Sequence, residues 1–143
     1  MLMNEENKNE KEIKENCIIE INNEIIPFSY FHKFKKKGKY KIKYLFKQNL
    51  TNCNFMFVVC KFLKSIDLSN FNTQNVTNMS DMFYGCESLK SIDLSNFITH
   101  KYTNMCCMFL FCDSLKINKI ISKDENILKN YGNNKVVFNS NIF

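Results

Sequence analysis

The residues with the most chemical potential in this chain are its cysteines, Cys17, Cys53, Cys60, Cys86, Cys106, Cys107 and Cys112. A thiolate is a nucleophile and a soft-metal ligand. Cys60, Cys86 and Cys112 recur every 26 residues. That spacing could build a metal or disulfide ladder, or it could place a small hydrophobe in one core slot of successive repeats. Zinc sites favour pairs such as C-x-x-C, and the sequence has none, so the core slot is the better expectation. Cys106 and Cys107 are adjacent and align with Ser80 and Asp81 of the preceding repeat, on its outward side. They are the candidates for reactive thiols, against the plainer reading of an accidental exposed pair. An odd number of cysteines without an export signal argues for free thiols in a reducing compartment.

Catalysis finds no such candidates. His32 and His100 are far apart and join no Ser, Cys or carboxylate constellation. Three glycines in the whole chain leave no phosphate-cradling loop. The expectation is a protein that is not an enzyme, with no catalytic residue, no cofactor and no metal.

The net charge is +6, and every basic residue is Lys. Without Arg there are no bidentate forks for phosphate or guanine. Lysines crowd between Lys33 and Lys47, interleaved with Phe34, Tyr40 and Tyr44. That stretch could grip nucleic acid or an anionic membrane by charge and stacking. The competing reading is a solvated strand face whose aromatics point inward, and the alternation favours it. No specific nucleic-acid recognition is expected. The longest apolar run, Phe55 to Cys60, is too short to span a bilayer, so no transmembrane segment is expected. Met1 to Asn16 offers no apolar stretch for a signal peptide, which points to an intracellular protein.

The elements that must position these groups are set by an internal repeat. Thr51-Asn52, Thr77-Asn78 and Thr103-Asn104 recur every 26 residues. In step with them come Met56, Met82 and Met108, Phe57, Phe83 and Phe109, and Leu63, Leu89 and Leu115. Leu63–Phe71 and Leu89–Phe97 are identical, Leu-Lys-Ser-Ile-Asp-Leu-Ser-Asn-Phe. Met79, Met82, Phe83 and Cys86 fall at i, i+3, i+4 and i+7, one face of a short helix. Asn78 is its expected N-cap, Asp81 suits its positive end, and Gly85 helps to end it. Ile92 and Leu94 share one side of a strand, with Ser91, Asp93 and Ser95 on the other. A strand and a short helix per copy is the leucine-rich-repeat pattern, and no single copy can bury its apolar face alone.

The flanks read as caps. Residues 1–16 are expected to be a disordered polar terminus. Residues 17–50 are expected to be a β-rich cap. In it Cys17–Phe28 forms a hairpin turning at Asn22-Asn23, and Tyr40, Ile42, Tyr44 and Phe46 form one side of a half-buried strand. The repeats occupy 51–122, divided as 51–76, 77–102 and a partial 103–122 whose strand decays where Asn118 replaces the Ile. Residues 123–143 form an irregular C-terminal cap. In it a short helix from Asp124 to Tyr131 is closed by Gly132, and Val136-Val137-Phe138 follows as a strand or tail.

The segments Thr77–Cys86 and Leu89–Phe97 resemble the BspA-like leucine-rich repeats, which include a repeat of unknown function first catalogued in mycoplasmas and abundant in protists. The resemblance spans about Asn49 to Leu115. It implies an α/β leucine-rich-repeat solenoid, often carried by cell-surface proteins implicated in adhesion. It implies no catalytic residues.

The resulting expectation is a non-enzymatic module that recognises a protein or glycan through an exposed strand face. Ser65, Asp67, Ser69, Ser91, Asp93 and Ser95 line that face, with Lys64 and Lys90 beside them, and Lys119 takes the Asp column in the third copy. A structural or self-associating spacer is the second reading, and a weak Lys-driven nucleic-acid or membrane-surface binder the third.

Overall fold

The computed structural model describes residues 8–29 and 32–139. Expectations for residues 1–7 and 140–143 lie outside the described residues. The chain divides between Leu50 and Thr51 into two compact units.

In the first unit, Lys8–Asn16 is helical (α1), where sequence alone suggested disorder. The helix is laced by the i,i+4 ion pairs Glu10–Lys14 and Lys11–Glu15. Its single apolar residue, Ile13, is buried, and α1 packs on the strand that follows. That strand is β1 (Cys17–Ile21), followed by β2 (Glu24–Pro27) and β3 (Ile42–Phe46). The sheet order is β2-β1-β3 with both pairings antiparallel. Asn22 and Asn23 make the β1–β2 turn with φ of 49° and 71°. Asn tolerates that left-handed region through its short polar side chain, and a two-residue hairpin turn requires it.

Cys17, Ile19 and Ile21 of β1 are buried. Strand β3 departs from expectation, because Ile42 and Tyr44 are exposed along with Lys43 and Leu45. The register places Ile42, Tyr44 and Phe46 opposite Ile21, Ile19 and Cys17. One nine-residue helix with one apolar side chain cannot cover three strands, so the edge strand stays wet.

In the second unit the copies lie on one another in register. Asn52 bridges Asn78, and Asn78 bridges Asn104, both in parallel. Cys53, Phe55, Phe57 and Val59 donate their N–H groups to the carbonyls of Asn78, Ser80, Met82 and Tyr84. Met79, Asp81, Phe83 and Gly85 donate in the same way to Asn104, Cys106, Met108 and Leu110. The intervening residues bond within their own copy, as Met82, Tyr84 and Cys86 do to Met79, Asp81 and Phe83. Every second N–H therefore leaves its copy and every other one closes a turn.

This arrangement replaces the helix expected in each copy. Residues 80–85 are a run of turns. Phe55, Asp81 and Cys107 share one column and are left-handed, with φ of 57°, 55° and 57°. Val59, Gly85 and Phe111 share the next left-handed column. A left-handed residue breaks an α-helix and turns alternate N–H groups outward to the neighbouring copy. Asn78 is not a helix cap; its Oδ1 accepts the Ser80 N–H at 3.0 Å, and Asn52 and Asn104 do the same for Asn54 and Cys106.

The core follows the columns. In the middle copy Met79, Met82, Phe83, Cys86, Leu89, Ile92, Leu94 and Phe97 are all buried. Phe83 stacks between Phe57 and Phe109 at centroid distances of 5.5 and 5.8 Å. Phe71 lies on Phe97 at 5.8 Å. Past the third copy, Tyr131 meets Phe109 edge-on and donates its hydroxyl to the Leu115 carbonyl at 2.5 Å. Tyr131 belongs to α2 (Glu125–Asn139), which continues through Gly132 and includes the residues expected to form a last strand. An interior Gly costs a helix only about 1 kcal/mol and does not oblige it to stop.

Candidate binding face and thiol positions

Strand pairing on the candidate face is confined to β4 (Ile92–Asp93) and β5 (Ile120–Ile121), which run parallel. Ile92 and Leu94 point inward, and Ser91 and Asp93 are exposed. Lys64, Ser65, Asp67, Ser69 and Lys90 are also exposed, while Ser95 is half-buried. Residues 63–68 lie outside any strand. The first copy is joined to the second by a side chain instead. Asn96 Nδ2 donates to the carbonyls of Leu68 and Phe71, each at 3.0 Å.

The third copy shifts the face. Ile120 pairs with Ile92 and Ile121 with Asp93, so Ile121, not Lys119, occupies the Asp column. A 3-10 turn at Ile117–Lys119 takes up the two extra residues, and Lys119 sits in it. The position expected to carry a cation is therefore an exposed isoleucine.

The two aspartates are committed to local structure. Asp67 Oδ1 accepts the Ser69 N–H at 3.0 Å, and Asp93 Oδ1 accepts the Ser95 N–H at 2.9 Å. Bonds from the Ser95 hydroxyl and N–H hold the Asp93 carboxyl below its usual range. Each aspartate is thus a turn former.

Beside Ser95 an open hollow of about 370 Å³ is lined by Phe97, Ile98, Lys123, Asp124 and Glu125. Asp124 is its best-placed acid, and it is occupied. Its Oδ2 accepts the Thr99 N–H at 2.9 Å and also the Thr99 hydroxyl, and its Oδ1 caps α2 through the Asn126 N–H at 2.9 Å. Burial raises the Asp124 pKa, but these bonds outweigh it and the net shift is downward. One copy earlier, Thr73 Oγ1 donates to the Ile98 carbonyl and accepts the Ile98 N–H. This threonine column was readable as Thr73 and Thr99, one period apart, yet nothing in their types announces a structural role.

The thiols separate by column. Cys86 and Cys112 are buried and donate to the carbonyls of Phe57 and Phe83 at 3.2 and 3.1 Å. Burial chiefly, then neighbouring thiols, pushes Cys86 up to about 12. Cys60 shares the column yet is exposed, which corrects its assignment to the core. It begins the column, so no earlier copy supplies the carbonyl and cover that Cys86 and Cys112 receive. Cys53 and Cys17 are buried, and burial raises Cys17 to about 11. Cys17 is therefore not among the accessible thiols. Cys106 is exposed and Cys107 half-buried, with their sulfurs 3.2 Å apart.

The Lys33–Lys47 stretch is exposed at every lysine. Phe34 and Tyr40 stack on each other at 4.0 Å, so these aromatics are spent on one another. Lys43 pairs with Glu20. Among the described residues no group of His, Cys, Asp and Glu is arranged to hold a metal, and no helix is long and apolar enough to cross a membrane.

A family model described as "Mycoplasma protein of unknown function, DUF285" matches residues 28–142, and the chain belongs to that family. No curated protein and no solved structure matches the chain.

Proposed function

We propose that this DUF285 member is a non-enzymatic binding module of the BspA-like, leucine-rich-repeat solenoid kind, which recognises a protein or glycan through its repeated polar face. The observation that carries the reading is repetition of an exposed surface. Lys64, Ser65 and Asp67 of one copy recur as Lys90, Ser91 and Asp93 of the next, all exposed. A periodic surface suits a periodic or extended ligand, and the lysines and Ser65 and Ser91 supply the donors. Asp67 and Asp93 shape the turns beside them. The family's association with surface proteins and adhesion supports the same reading by resemblance.

Area limits the affinity. A standard interface takes about 800 Å² from each partner. Strands of ~17 Å spaced ~4.8 Å apart offer far less over two or three copies. Useful binding would then come from several weak contacts acting together.

A structural spacer is the second reading. It is favoured by the commitment of Asp67 and Asp93 to their own turns.

The experiment pairs a glycan array with capture from a cell lysate, comparing the wild-type chain with the double variant Lys64→Glu, Lys90→Glu. Neither substitution touches the buried columns, so both proteins should fold alike. The binding reading expects a defined set of ligands that the double variant loses. Identical profiles for the two proteins would move recognition off this face, and empty profiles for both would favour the spacer.

A further inference from the structure

Cys106 and Cys107 bring two sulfurs within 3.2 Å at the surface of the third copy. The same positions hold Asn54-Phe55 and Ser80-Asp81 in the other copies, so a cysteine pair is not a feature of the repeat itself. Two local features create it. Cys106 is fixed at both ends of its backbone: its N–H donates to Asn104 Oδ1 at 3.0 Å, and its carbonyl accepts the Asp81 N–H at 2.9 Å. Cys107 is left-handed, with φ of 57°. Neighbouring side chains of an extended chain point to opposite faces; the left-handed residue brings these two together.

We infer that Cys106 and Cys107 form a vicinal dithiol site that a low-molecular-weight disulfide oxidises reversibly to a Cys106–Cys107 bridge. The sulfurs need only close from 3.2 Å to about 2.05 Å. Neighbouring Cα atoms stand about 3.8 Å apart across a trans peptide. Disulfides usually span about 4.4–6.8 Å between Cα atoms, so the bridge is strained and correspondingly easy to reduce.

The chemistry divides between the two thiols. The hydrogen bond shared with Cys106 first, and burial second, push Cys107 up to about 11, so Cys107 keeps its proton at neutral pH. Cys106, the more exposed, attacks as thiolate. Its sulfur bonds to one sulfur of the small disulfide, and the other leaves as a thiolate. Cys107 then gives its proton to solvent, and its sulfur attacks Cys106, expelling the second small thiolate. Two protein thiols are oxidised and one small disulfide is reduced to two thiols. Closing the ring twists the peptide whose carbonyl receives the Asp81 N–H, so it loosens one bond of the ladder between the second and third copies.

The test treats the full chain with oxidised glutathione, quenches with acid, alkylates after unfolding and maps the tryptic peptide 102–116. The expected product has lost two hydrogens, carries one alkyl group on Cys112, and returns to three alkyl groups after dithiothreitol. Cys106→Ser and Cys107→Ser should each stop at a single glutathione adduct. Faster amide exchange at Asp81 should accompany the bridge. No oxidation of the pair, stable adducts on both thiols, or a bridge to Cys112 or another chain would overturn the proposal. An unchanged Asp81 amide in the bridged protein would contradict the coupling to the ladder.

Discussion

The ring of Phe83 lies 5.8 Å from that of Phe109 and within 3° of parallel to it. The two residues are one period apart, and both are almost wholly buried. Such a contact adds about 0.5–1.5 kcal/mol beyond area burial. Phe83 also stacks on Phe57, so it supports both neighbours. Phe83→Ala should cost about 3–5 kcal/mol, a large part of the ~5–15 kcal/mol of a typical domain. Phe83→Leu should cost less and stay folded. Chemical denaturation followed by circular dichroism checks both; a Phe83→Ala loss below about 1 kcal/mol would deny the stack its role.

Two glycines should respond to alanine with opposite signs. Gly85 is left-handed at φ 71°, and an added Cβ would sit 3.4 Å from the Val59 backbone. Gly85→Ala should therefore destabilise by about 1–2 kcal/mol. Gly132 lies inside α2 with nothing within 4 Å of an added Cβ. Gly132→Ala should stabilise by up to about 1 kcal/mol. Melting temperatures of the two variants give the comparison, and shifts of the same sign would contradict the assigned backbone.

Asp124 ties the Thr99 segment to the first turn of α2 at Asn126. Its folded pKa lies below that of an ordinary aspartate. A depressed carboxylate contributes stability that is fully present above its unfolded pKa and is lost as pH falls through the folded one. Acid titration should show this loss beginning near pH 4 and growing below it. Asp124→Ala should cost about 1–3 kcal/mol at neutral pH and reduce that acid dependence. An acid limb of the same steepness in the variant would remove Asp124 from the account.

Thiol accessibility should follow the columns. Cys60 and Cys106 should label first in the native protein, and Cys53, Cys86 and Cys112 only after opening, because an inaccessible thiol is inert whatever its pKa. Mass mapping after a brief exposure to a maleimide reads the order. Rapid labelling of Cys86 would place its column outside the core.

The repeat was legible because the residues that stack, such as Phe57, Phe83 and Phe109, are identical and evenly spaced. The conformation between them was not. Turns closed by i→i−3 bonds, as in Met82 to Met79, place apolar residues at nearly the helical period, so Met79, Met82, Phe83 and Cys86 suit either. What separates the two is the left-handed backbone at Asp81, at Gly85 and at their equivalents, and only those two side-chain types hint at it. On the candidate face, the outward turn of Ser91 and Asp93 could be read from alternation. The shift that brings Ile121 rather than Lys119 into the Asp column could not, because it depends on a turn absorbing two residues.

The second unit depends on 26-residue copies that stack in one register, and removing one whole copy tests that stacking most directly. Deleting 77–102 joins Val76 to Thr103 and leaves equivalent partners in place. Phe57 can stack on Phe109, the N–H groups of Cys53, Phe55, Phe57 and Val59 can meet the third copy's carbonyls, and Thr73 can take Thr99's place at Asp124. Deleting only 77–87 breaks every one of these registers. Circular dichroism and urea unfolding should show the protein shortened by a whole copy folded, cooperative and somewhat less stable, because a lost copy removes interface. The partial deletion should be unfolded. A whole-copy deletion that unfolds while the partial one stays folded would contradict the register on which the fold and its polar face depend.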